Sequence, residues 1–379
     1  MSISDLLRYV KDPLRRLWYE LKLHKQRFLS PKNRPCLIVF PNNQPWESSA
    51  NLRAWKVAKE LEKLGWRVIV VPQPLSLSQR QRIVRLEKPN VILMQQFLHP
   101  LNRPQLYSPI PCVIDTDGAE FLDPRWSSVI FDSAHRAQAL VCGSHFVADS
   151  LRPHNPSTHV IWTGSPEAAR PPKTRPASRE PIVAWAHATP LKYPIEAALM
   201  QSVMVEVSRR VRCTFWLFGT DEDQAGTWLA PIRAAGGQCV AISPLPYEAY
   251  LEKVSEAAVG LMPVCTEHDF SRGKSFGKVL AYLAGQTAVV ATDAVDHPLF
   301  FNSRQNGFLV NNSVAEWTDV IVELLSDLPL RQAVGEAGWN DFNRRLTTKV
   351  FAEMLDPILR EAELASHKTR LPRAEPETK

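Results

Sequence analysis

The sequence lacks any long run of apolar residues. Its longest apolar stretches, such as Leu37–Phe40 and Val68–Val71, have the length of a strand, whereas a transmembrane helix needs about 20 apolar residues. Charged side chains interrupt every apolar segment near the N-terminus, so a secretory signal is not expected there. We therefore expect a cytoplasmic protein without a membrane span.

Several catalytic and metal-binding motifs are also missing. The sequence contains no Gly-x-Ser-x-Gly, no Walker loop and no Gly-x-Gly-x-x-Gly, which disfavours hydrolases, P-loop enzymes and dehydrogenases. The ten histidines form no His-x-x-x-His or His-Glu-x-x-His pattern, and the six cysteines form no Cys-x-x-Cys pair. We expect the cysteines to be buried free thiols in a reducing compartment.

The length of the chain favours two domains. With 379 residues, 45% of them hydrophobic and 22% charged, the chain has the composition of a globular protein and exceeds the usual size of a single core.

The net charge of +6 is confined to the N-terminus. Residues 1–34 contain nine Lys or Arg and three Asp or Glu, so this segment accounts for the whole excess and the rest of the chain is balanced. A balanced body does not favour binding of nucleic acid.

Residues 12–28 have the pattern of a basic amphipathic helix. Asp12 can cap it, Pro13 suits its first position, and apolar residues recur from Leu14 to Phe28 at helical spacing. Such a helix can lie on an anionic membrane surface. There are two alternatives to membrane contact. The helix can pack on the protein, or the whole segment of residues 1–34 can be a loose basic arm.

The remainder alternates between strand and helix patterns in two blocks. The first block spans residues 35–165 and the second 182–345, with a proline-rich linker over residues 166–181. A C-terminal helix over residues 346–366, which can pack back on the first block, precedes a polar and disordered tail over residues 367–379. Short apolar strands separated by helices predict parallel sheets covered on both faces. The expected fold class is α/β, with two Rossmann-like doubly wound domains that face each other across a cleft.

One loop of the second block has the chemistry of a phosphate site. Residues 269–283 follow the predicted strand Val259–Met262 and lead into a predicted helix over residues 275–285. Backbone amides at a helix start attract anions, and the loop adds cationic side chains. The candidate ligands are Arg272, Lys274, Ser275 and Lys278. The alternative is a solvated basic loop.

The same loop carries a family resemblance. The run from Phe270 to Ser275, with Lys278 and Tyr282-Leu283-Ala284, resembles the donor-site signature of family 4 (group 1) nucleotide-sugar glycosyltransferases. The later Asn306-Gly307-Phe308-Leu309-Val310 resembles the segment that follows in that family. The resemblance is strong over residues 240–345. Over residues 36–165 it is weaker and concerns the layout of the predicted strands and helices.

The resemblance implies a GT-B fold whose C-terminal domain holds the nucleotide, and commonly a reaction that retains the anomeric configuration. By that resemblance Arg272, Lys274, Ser275 and Lys278 lie near the donor diphosphate, and Lys192 is a further phosphate-binding base. Positive side chains can neutralise a departing diphosphate without a metal, so no metal or other cofactor is expected.

The sequence departs from the family at two positions. Where the family often has two glutamates eight residues apart, this chain has Gly273 and Ala281. The second glutamate usually contacts the ribose of the nucleotide. Its replacement implies either altered donor binding or a loss of activity.

The first block offers an acceptor side. Asp115 and Asp117 end a predicted strand, and either can face the cleft to orient or deprotonate an acceptor hydroxyl. Helix or turn capping is the alternative for these carboxylates, and the Asp-x-Asp spacing alone is a weak metal signal. Residues of the first strand-to-helix loop are the further acceptor-side candidates: Ser48, Ser49, Asn51 and Arg53.

We therefore predict a glycosyltransferase that moves a sugar from a nucleoside-diphosphate donor to an acceptor hydroxyl of a polysaccharide, glycolipid or envelope glycan. A lipid-linked acceptor would suit the basic N-terminus at the inner face of the cytoplasmic membrane. The alternatives are a catalytically silent nucleotide-sugar-binding or scaffold protein of the same fold, and a nucleotide-sugar epimerase or phosphorylase.

Overall fold

A computed structural model describes residues 17–21, 23, 33–166, 179–274 and 276–370, apart from the side chains of Ser48 and of residues 366–370. Several predictions lie wholly or mostly outside the described residues. They concern the basic helix of residues 12–28, of which residues 17–21 are helical, the proline-rich linker, Ser275 and the tail from residue 371.

The chain folds into two compact units. The first takes in the described residues up to Gly143, together with Val147–Ile161 and the chain from Phe351 onward. The second takes in Ser144–Phe146 and the described residues between Trp162 and Val350. Each unit contains one parallel sheet of six strands.

The first unit is built on the strand order β2-β1-β3-β4-β5-β6. Its strands are β1 Cys36–Phe40, β2 Arg67–Val70, β3 Val91–Gln95, β4 Cys112–Thr116, β5 Ala139–Cys142 and β6 Thr158–Val160. Every residue of β1, β3, β4 and β5 is buried. Complete burial explains why these strands read as continuous apolar runs, since a parallel sheet is covered on both faces.

Helices connect the strands of the first unit. They are α1 Ser48–Ala50, α2 Lys56–Lys63, α3 Leu77–Glu87, α4 Pro124–Arg136 and α5 His145–Leu151, and a π turn, Asn51–Trp55, joins the first two. The first two residues of α5 are assigned to the second unit. Local sequence sets two of the helix starts. Ser76 and Gln79 form a reciprocal capping box ahead of α3, and Asp123 caps α4, where Pro124 occupies the first helical position.

The C-terminal helix α13, Thr348–Arg370, contributes to the core of the first unit. The side chains of Phe351, Leu355 and Leu359 pack in one hydrophobic cluster with strands β1 to β5. Trp66 also donates a hydrogen bond from its indole nitrogen to Asp356 of this helix, at 2.6 Å. The first unit is therefore assembled from both ends of the described chain.

The second unit has the strand order β12-β11-β10-β7-β8-β9. Its strands are β7 Ile182–Ala186, β8 Thr214–Phe218, β9 Gln238–Ile242, β10 Val259–Met262, β11 Ala288–Thr292 and β12 Phe308–Val310. Numbered within the unit, the order is 3-2-1-4-5-6, the dinucleotide-binding arrangement. The chain changes direction across the sheet between β7 and β10.

The helices of the second unit are α6 Pro194–Arg210, α7 Glu222–Ala234, α8 Tyr247–Val254, α9 Asp269–Arg272, α10 Leu280–Ala284, α11 Val314–Ser326 and α12 Leu328–Arg345. Pro194 lies in the first turn of α6, and Asp221 caps α7 through its carboxylate. The core joins α6, α7 and α11 to the sheet through large apolar side chains such as Met200, Leu229 and Trp317.

One predicted helix is shorter than expected. The pattern over residues 275–285 predicts a continuous helix, but the chain forms a 3-10 turn at Phe276–Lys278 and the five-residue helix α10. Gly285 ends α10 by donating its backbone N–H to Ala281 and Tyr282, because the chain must enter β11 three residues later. The described helix therefore begins beyond both lysines of the loop.

No helix among the described residues combines the length and the hydropathy needed to cross a membrane.

Candidate functional site

The carboxyl ends of β7 and β10 mark the expected ligand site of the second unit. In open α/β sheets, ligands bind where neighbouring loops leave the sheet on opposite sides, and this chain does so between these two strands. The loop after β7 runs over residues 187–193 and carries Lys192; the loop after β10 runs over residues 263–279 and carries the basic residues predicted to bind phosphate.

Lys274 connects these two loops through a buried ion pair. Its ammonium lies 2.8 Å from the Oε1 atom of Glu196 on α6 and 3.9 Å from the centre of the Tyr193 ring. Ser271 and the backbone N–H of Cys265 donate to the same Oε1 atom, at 2.6 and 3.3 Å. Although burial opposes ionisation, the hydrogen bonds from Lys274 and Ser271 lower the pKa of Glu196.

This pairing changes the role expected for Lys274. The sequence predicts that it touches the donor diphosphate, but the Lys274 side chain is only 11% exposed and its charge is compensated by Glu196. An ammonium held in this way is better placed to fix the two loops against each other than to contact a phosphate.

Arg272 and Lys192 are exposed cations at the same end of the sheet. The Arg272 guanidinium lies 4.6 Å from the centre of the Phe146 ring and 3.7 Å from Asp269. Lys192 ends the 3-10 turn Pro190–Lys192 directly after β7. A stacked guanidinium keeps its hydrogen-bond donors in a defined plane, which suits bidentate contact with phosphate oxygens.

Lys278 is half-buried and close to His187. Burial, followed by the positive charges of Lys278 and Lys274, lowers the pKa of His187 to about 3. A neutral imidazole therefore lies beside the two lysines at neutral pH. The positive potential that lowers this pKa is the potential that would attract an anion.

Gly219 lets the loops pack closely at the end of β8. A side chain there would place its Cβ 1.9 Å from the carbonyl oxygen of His187, and the residue has a φ of +89°. Both constraints select glycine. Gly219 was not among the predicted site residues, although a glycine directly after a strand is the signal that could have found it.

Ala281 is buried in α10 and is 2% exposed. The adjacent Tyr282 hydroxyl donates to the carbonyl of Ala184 at 2.9 Å and accepts the backbone N–H of Ala186 at 2.7 Å, which anchors α10 under β7. The methyl side chain of Ala281 has no group that could accept a hydrogen bond at this position.

A second cluster of the same unit involves Asp296, which follows β11. The Asp296 carboxylate accepts hydrogen bonds from the backbone N–H of His145 at 3.0 Å and from the Trp162 indole at 2.7 Å, and its Oδ2 atom lies 3.1 Å from Nδ1 of His145. The Trp162 ring packs on Phe276 with centroids 4.7 Å apart. This cluster was not predicted from the sequence because 151 residues separate His145 from Asp296.

In the first unit, Arg53 and Asp115 are locked in a buried ion pair. Two guanidinium nitrogens of Arg53 lie 2.9 and 2.5 Å from the two carboxylate oxygens of Asp115, and a third donates to the carbonyl of Ile161 at 3.1 Å. Both residues are 0% exposed. Burial, opposed by Arg53, raises the pKa of Asp115 to about 6.

The structure places both of these predicted site residues in the interior of the unit. Asp115 was predicted to face the cleft and Arg53 to lie on the acceptor side, but both side chains are fully buried and bonded to each other. Their roles toward an acceptor stay predictions.

Asp117 lies at the edge of the same cluster and is partly exposed. Ser49 donates its hydroxyl to the Asp117 carboxylate at 3.1 Å, and the Gln96 amide donates to it as well. The Gln95 amide in turn donates to the Ser49 hydroxyl at 3.1 Å. Of the predicted acceptor-side residues, Ser49 and Asp117 are therefore the two that the structure joins through partly exposed polar groups.

Glu120 adds a second carboxyl group near Asp117. Burial, followed by the negative charge of Asp117, raises the pKa of Glu120 to about 7. Its carboxylate covers Gly118, where a Cβ would lie 2.4 Å from Oε1. Glu120 was not among the predicted site residues, because its raised pKa depends on the enclosure formed by the fold.

The remaining acceptor-side candidates, Asn51 and Ser48, offer no described exposed polar group. Asn51 is 6% exposed within the π turn, and Ser48 begins α1 but its side chain is outside the description. Within the described part of the chain, no group of three or more His, Cys, Asp or Glu side chains is arranged to hold a metal ion. The predicted absence of a cofactor stays a prediction.

Comparison with known proteins links the fold to solved structures. No protein-family model matches the chain, and a search of curated proteins found no match. The assignment to family 4 therefore stays a prediction.

Three solved structures illustrate the likeness. A glycosyltransferase from Rickettsia africae has a TM-score of 0.64 at 12% identity, over 87% of this chain and 99% of that chain. HepE of Anabaena, in complex with UDP and glucose, has a TM-score of 0.61 at 13% identity, over 87% and 100%. Sucrose-phosphate synthase from Thermosynechococcus elongatus has a TM-score of 0.65 at 11% identity, over 88% and 100%. The predicted fold class of two Rossmann-like α/β domains of the GT-B type is confirmed.

Proposed function

We propose that the chain is a glycosyltransferase that uses a nucleoside-diphosphate sugar as its donor. The observation that carries this proposal is the cationic group at the carboxyl ends of β7 and β10, formed by Lys192, Arg272 and Lys278. The fold supports it, since the similar structures include glycosyltransferases and one of them holds UDP and glucose.

The chemistry requires positive charge at the leaving group. When the bond between the anomeric carbon and the diphosphate breaks, negative charge accumulates on the diphosphate oxygens. Arg272 and Lys278 can bind these oxygens, and Lys192 can reach them from the loop after β7. Lys274 and Glu196 keep the loops in register, so that the cations are preorganised before the donor binds.

The acceptor would bind through hydrogen bonds. Ser49 and Asp117 in the first unit offer a hydroxyl and a carboxylate that suit the hydroxyl groups of a glycan. A lipid-linked or envelope-polysaccharide acceptor fits the predicted cytoplasmic location. By the family resemblance, the anomeric configuration of the donor sugar would be retained.

The test is donor binding measured by titration calorimetry with a panel of nucleoside diphosphates and their sugars. Each charge-assisted hydrogen bond contributes about 1.5–3 kcal/mol, so Arg272→Ala and Lys278→Ala should each weaken binding roughly 10- to 100-fold. Arg209→Ala is the matched control, because Arg209 is an exposed arginine at the far end of α6. Equal affinities for all three variants and the wild type would remove the basis of the proposal.

A silent nucleotide-sugar-binding protein is the second candidate, and Ala281 is the observation that favours it. Release of free nucleotide from the bound donor, with and without candidate acceptors, distinguishes the two functions. Turnover supports the glycosyltransferase, whereas binding without turnover over a broad panel of acceptors supports the silent protein.

A peripheral membrane location is a further part of the proposal. Leu17, Trp18 and Leu21 lie in the short described helical stretch and are 53%, 56% and 60% exposed. Such residues can enter the lipid boundary. Sedimentation with anionic vesicles should be reduced by Trp18→Ser and unaffected by Trp46→Ser, which alters another exposed tryptophan of the first unit. Equal sedimentation of both variants and the wild type would contradict membrane binding through this stretch.

A further inference from the structure

We propose that the first unit binds one hydrocarbon chain of an anionic membrane lipid in a groove between the described N-terminal helical stretch, helix α2 and strand β2. The proposal rests on the proposed peripheral membrane location, but it does not depend on sugar transfer. It assigns a binding site to residues that neither the donor site nor the proposed acceptor side uses.

The groove lies inside the first unit and has a volume of about 260 Å³. Tyr19 and Leu23 of the helical stretch form one wall, and Val68 and Val70 of β2 form part of another. An apolar cavity of about 150 Å³ is large enough for a benzene molecule. The groove therefore has room for a larger apolar ligand.

The shape of the groove favours a linear ligand. On the α2 side it is lined by Trp55, Ala58 and Glu62, whose spacings of three and four residues place them along one face of the helix. From Trp55 to Glu62 this row is about 10 Å long, at about 1.5 Å per residue. On β2, Val68 and Val70 are two residues apart and share one face of the strand. A groove between a helix face and a strand suits a chain better than a compact ring system.

The lining offers water few hydrogen-bond partners. The side chains of Leu23, Ala58, Val68 and Val70 are apolar. The indole nitrogen of Trp55 is buried and, within the described residues, has no hydrogen-bond partner, so this wall lacks an acceptor even for its own donor. A buried water needs about two to four polar partners. Hydrocarbon is therefore a better occupant than water over most of the groove.

One end of the groove carries positive charge. Lys59 lines the groove and is exposed, and Arg34 donates to the backbone carbonyl of Glu62 at 3.2 Å. Burial raises the pKa of the Glu62 carboxyl group, and the positive charges of Lys59 and Arg34 oppose this rise. Two cations thus lie near one carboxylate, and residues 1–34 contain nine basic and three acidic residues. An anionic head group is therefore favoured at this end.

The helical stretch connects the groove to the proposed membrane contact. Its inner side is attached to the first unit, because Tyr19 lines the groove and Glu20 forms an ion pair with Arg82 of α3. Its exposed apolar residues are Leu17, Trp18 and Leu21. The chain-binding groove and the side chains proposed to enter the lipid therefore belong to one short stretch. Moving a chain from the bilayer into an apolar groove costs little, because both surroundings are apolar.

The experiment measures the binding of monomeric lipid to the full-length protein, which separates the groove from contact with a bilayer. Lysophosphatidylglycerols of increasing chain length, each below its critical micelle concentration, are titrated in a calorimeter. Burial of one methylene corresponds to a roughly fourfold gain in affinity. We expect this gain for each added methylene until the chain fills the groove, after which the affinity levels off.

Ala58→Leu is the decisive variant, because Ala58 lines the groove and is 4% exposed. Its three added carbon atoms displace about three methylenes of the ligand, so the affinity should fall by roughly 10- to 60-fold and should level off at a shorter chain. Ala234→Leu, at an exposed alanine that ends α7, is the matched control. Donor binding should be unchanged in both variants.

Lys59→Gln keeps the proposal testable if Ala58→Leu does not fold, since Lys59 is exposed. We expect a roughly two- to fivefold loss of affinity for lysophosphatidylglycerol, and no loss for lysophosphatidylcholine of the same chain length. A variant that binds lysophosphatidylglycerol as the wild type does, or that loses both lipids equally, would contradict the position of the head group.

The outcomes separate the groove from the proposed membrane location. An affinity that does not depend on chain length, or equal affinities of the wild type and a folded Ala58→Leu, would overturn the groove as a chain-binding site. If the wild type sediments with anionic vesicles but binds no monomeric lipid, the membrane location stands and this proposal fails. If Trp18→Ser loses sedimentation and keeps monomer binding, both are supported. Monomer binding with the expected dependence on chain length, but without sedimentation of the wild type, supports the groove and removes the membrane location.

Discussion

The two sheets end in different chemistry although their architecture is similar. At the carboxyl end of the first sheet, the buried Arg53 pairs with the carboxylate of Asp115, and Asp117 is partly exposed. The buried Arg80 at the same end donates to Asn102 and to the carbonyl of Gln73. At the carboxyl end of the second sheet, the Glu196 carboxylate forms an ion pair with Lys274. Basic side chains such as Arg272 lie at the surface there. Each of these two ends thus buries one ion pair and keeps one charged residue nearer the surface, Asp117 in the first unit and Arg272 in the second.

The difference suits the two ligands that we propose for the two units. A diphosphate needs positive side chains, whereas a sugar hydroxyl needs hydrogen-bond acceptors of the kind offered by Asp117. The strand orders differ as well, 2-1-3-4-5-6 in the first unit and 3-2-1-4-5-6 in the second. In the second unit the basic residues follow β7 and β10, between which the chain changes direction across the sheet. In the first unit the change of direction lies between β1 and β3, whereas Asp117 follows the next strand, β4.

The largest effect is expected at the buried pair of the first unit. Arg53→Ala leaves the Asp115 carboxylate buried without its partner, and we expect the free energy of unfolding to fall by about 3–5 kcal/mol. The measurement is urea denaturation. Arg152→Ala, which removes a surface partner of Asp149, should cause little change. A similar small loss for both variants would show that the buried pair does not hold this end of the sheet.

A smaller effect is expected at the corresponding pair of the second unit. Glu196→Gln leaves the Lys274 ammonium without a compensating charge, but that side chain is 11% exposed, so we expect a loss of roughly 2 kcal/mol. Glu206→Gln on the same helix is the control, because Glu206 pairs with exposed arginines. If both variants unfold alike, Lys274 does not depend on Glu196 and is available to the donor.

The smallest effect on the free energy of unfolding is expected for Glu120 of the first unit, and it depends on pH. The fold raises the pKa of Glu120 to about 7 and therefore favours the protonated carboxyl group. The stability that this protonated group contributes is lost as the pH rises through 7. Glu120→Gln should therefore raise the free energy of unfolding by roughly 1–2 kcal/mol at about pH 8 and leave it unchanged at about pH 4. An equal effect at both values of pH would mean that Glu120 is not enclosed.

Much of the fold could be predicted because the strands are buried on both faces. The apolar runs that became β1, β3 and β4 are continuous in the sequence, and helical periodicity located helices such as α6 and α11 within a few residues. The error at residues 275–285 has a physical reason. Periodicity detects apolar spacing, but it does not detect that the chain must turn into β11 soon after Tyr282, whose hydroxyl is held under β7.

The candidate site was predictable only in part. Arg272 and Lys278 could be selected because their loop concentrates positive charge after a strand. The local sequence around Lys274 does not show that Glu196, 78 residues away, neutralises it, nor that Arg53 would neutralise Asp115 across 62 residues. Whether a charged residue binds a ligand or an internal partner depends on contacts between distant segments.

The sequence by itself determined the α/β class, the two blocks of alternating strands and helices and the sign of the charge in each loop, because periodicity and composition act locally along the chain. The tertiary structure alone decided which charged side chains pair with each other inside each unit, and it alone placed Asp296 beside His145. The physical reason is that burial and ion pairing depend on distance in space, which a linear pattern does not contain.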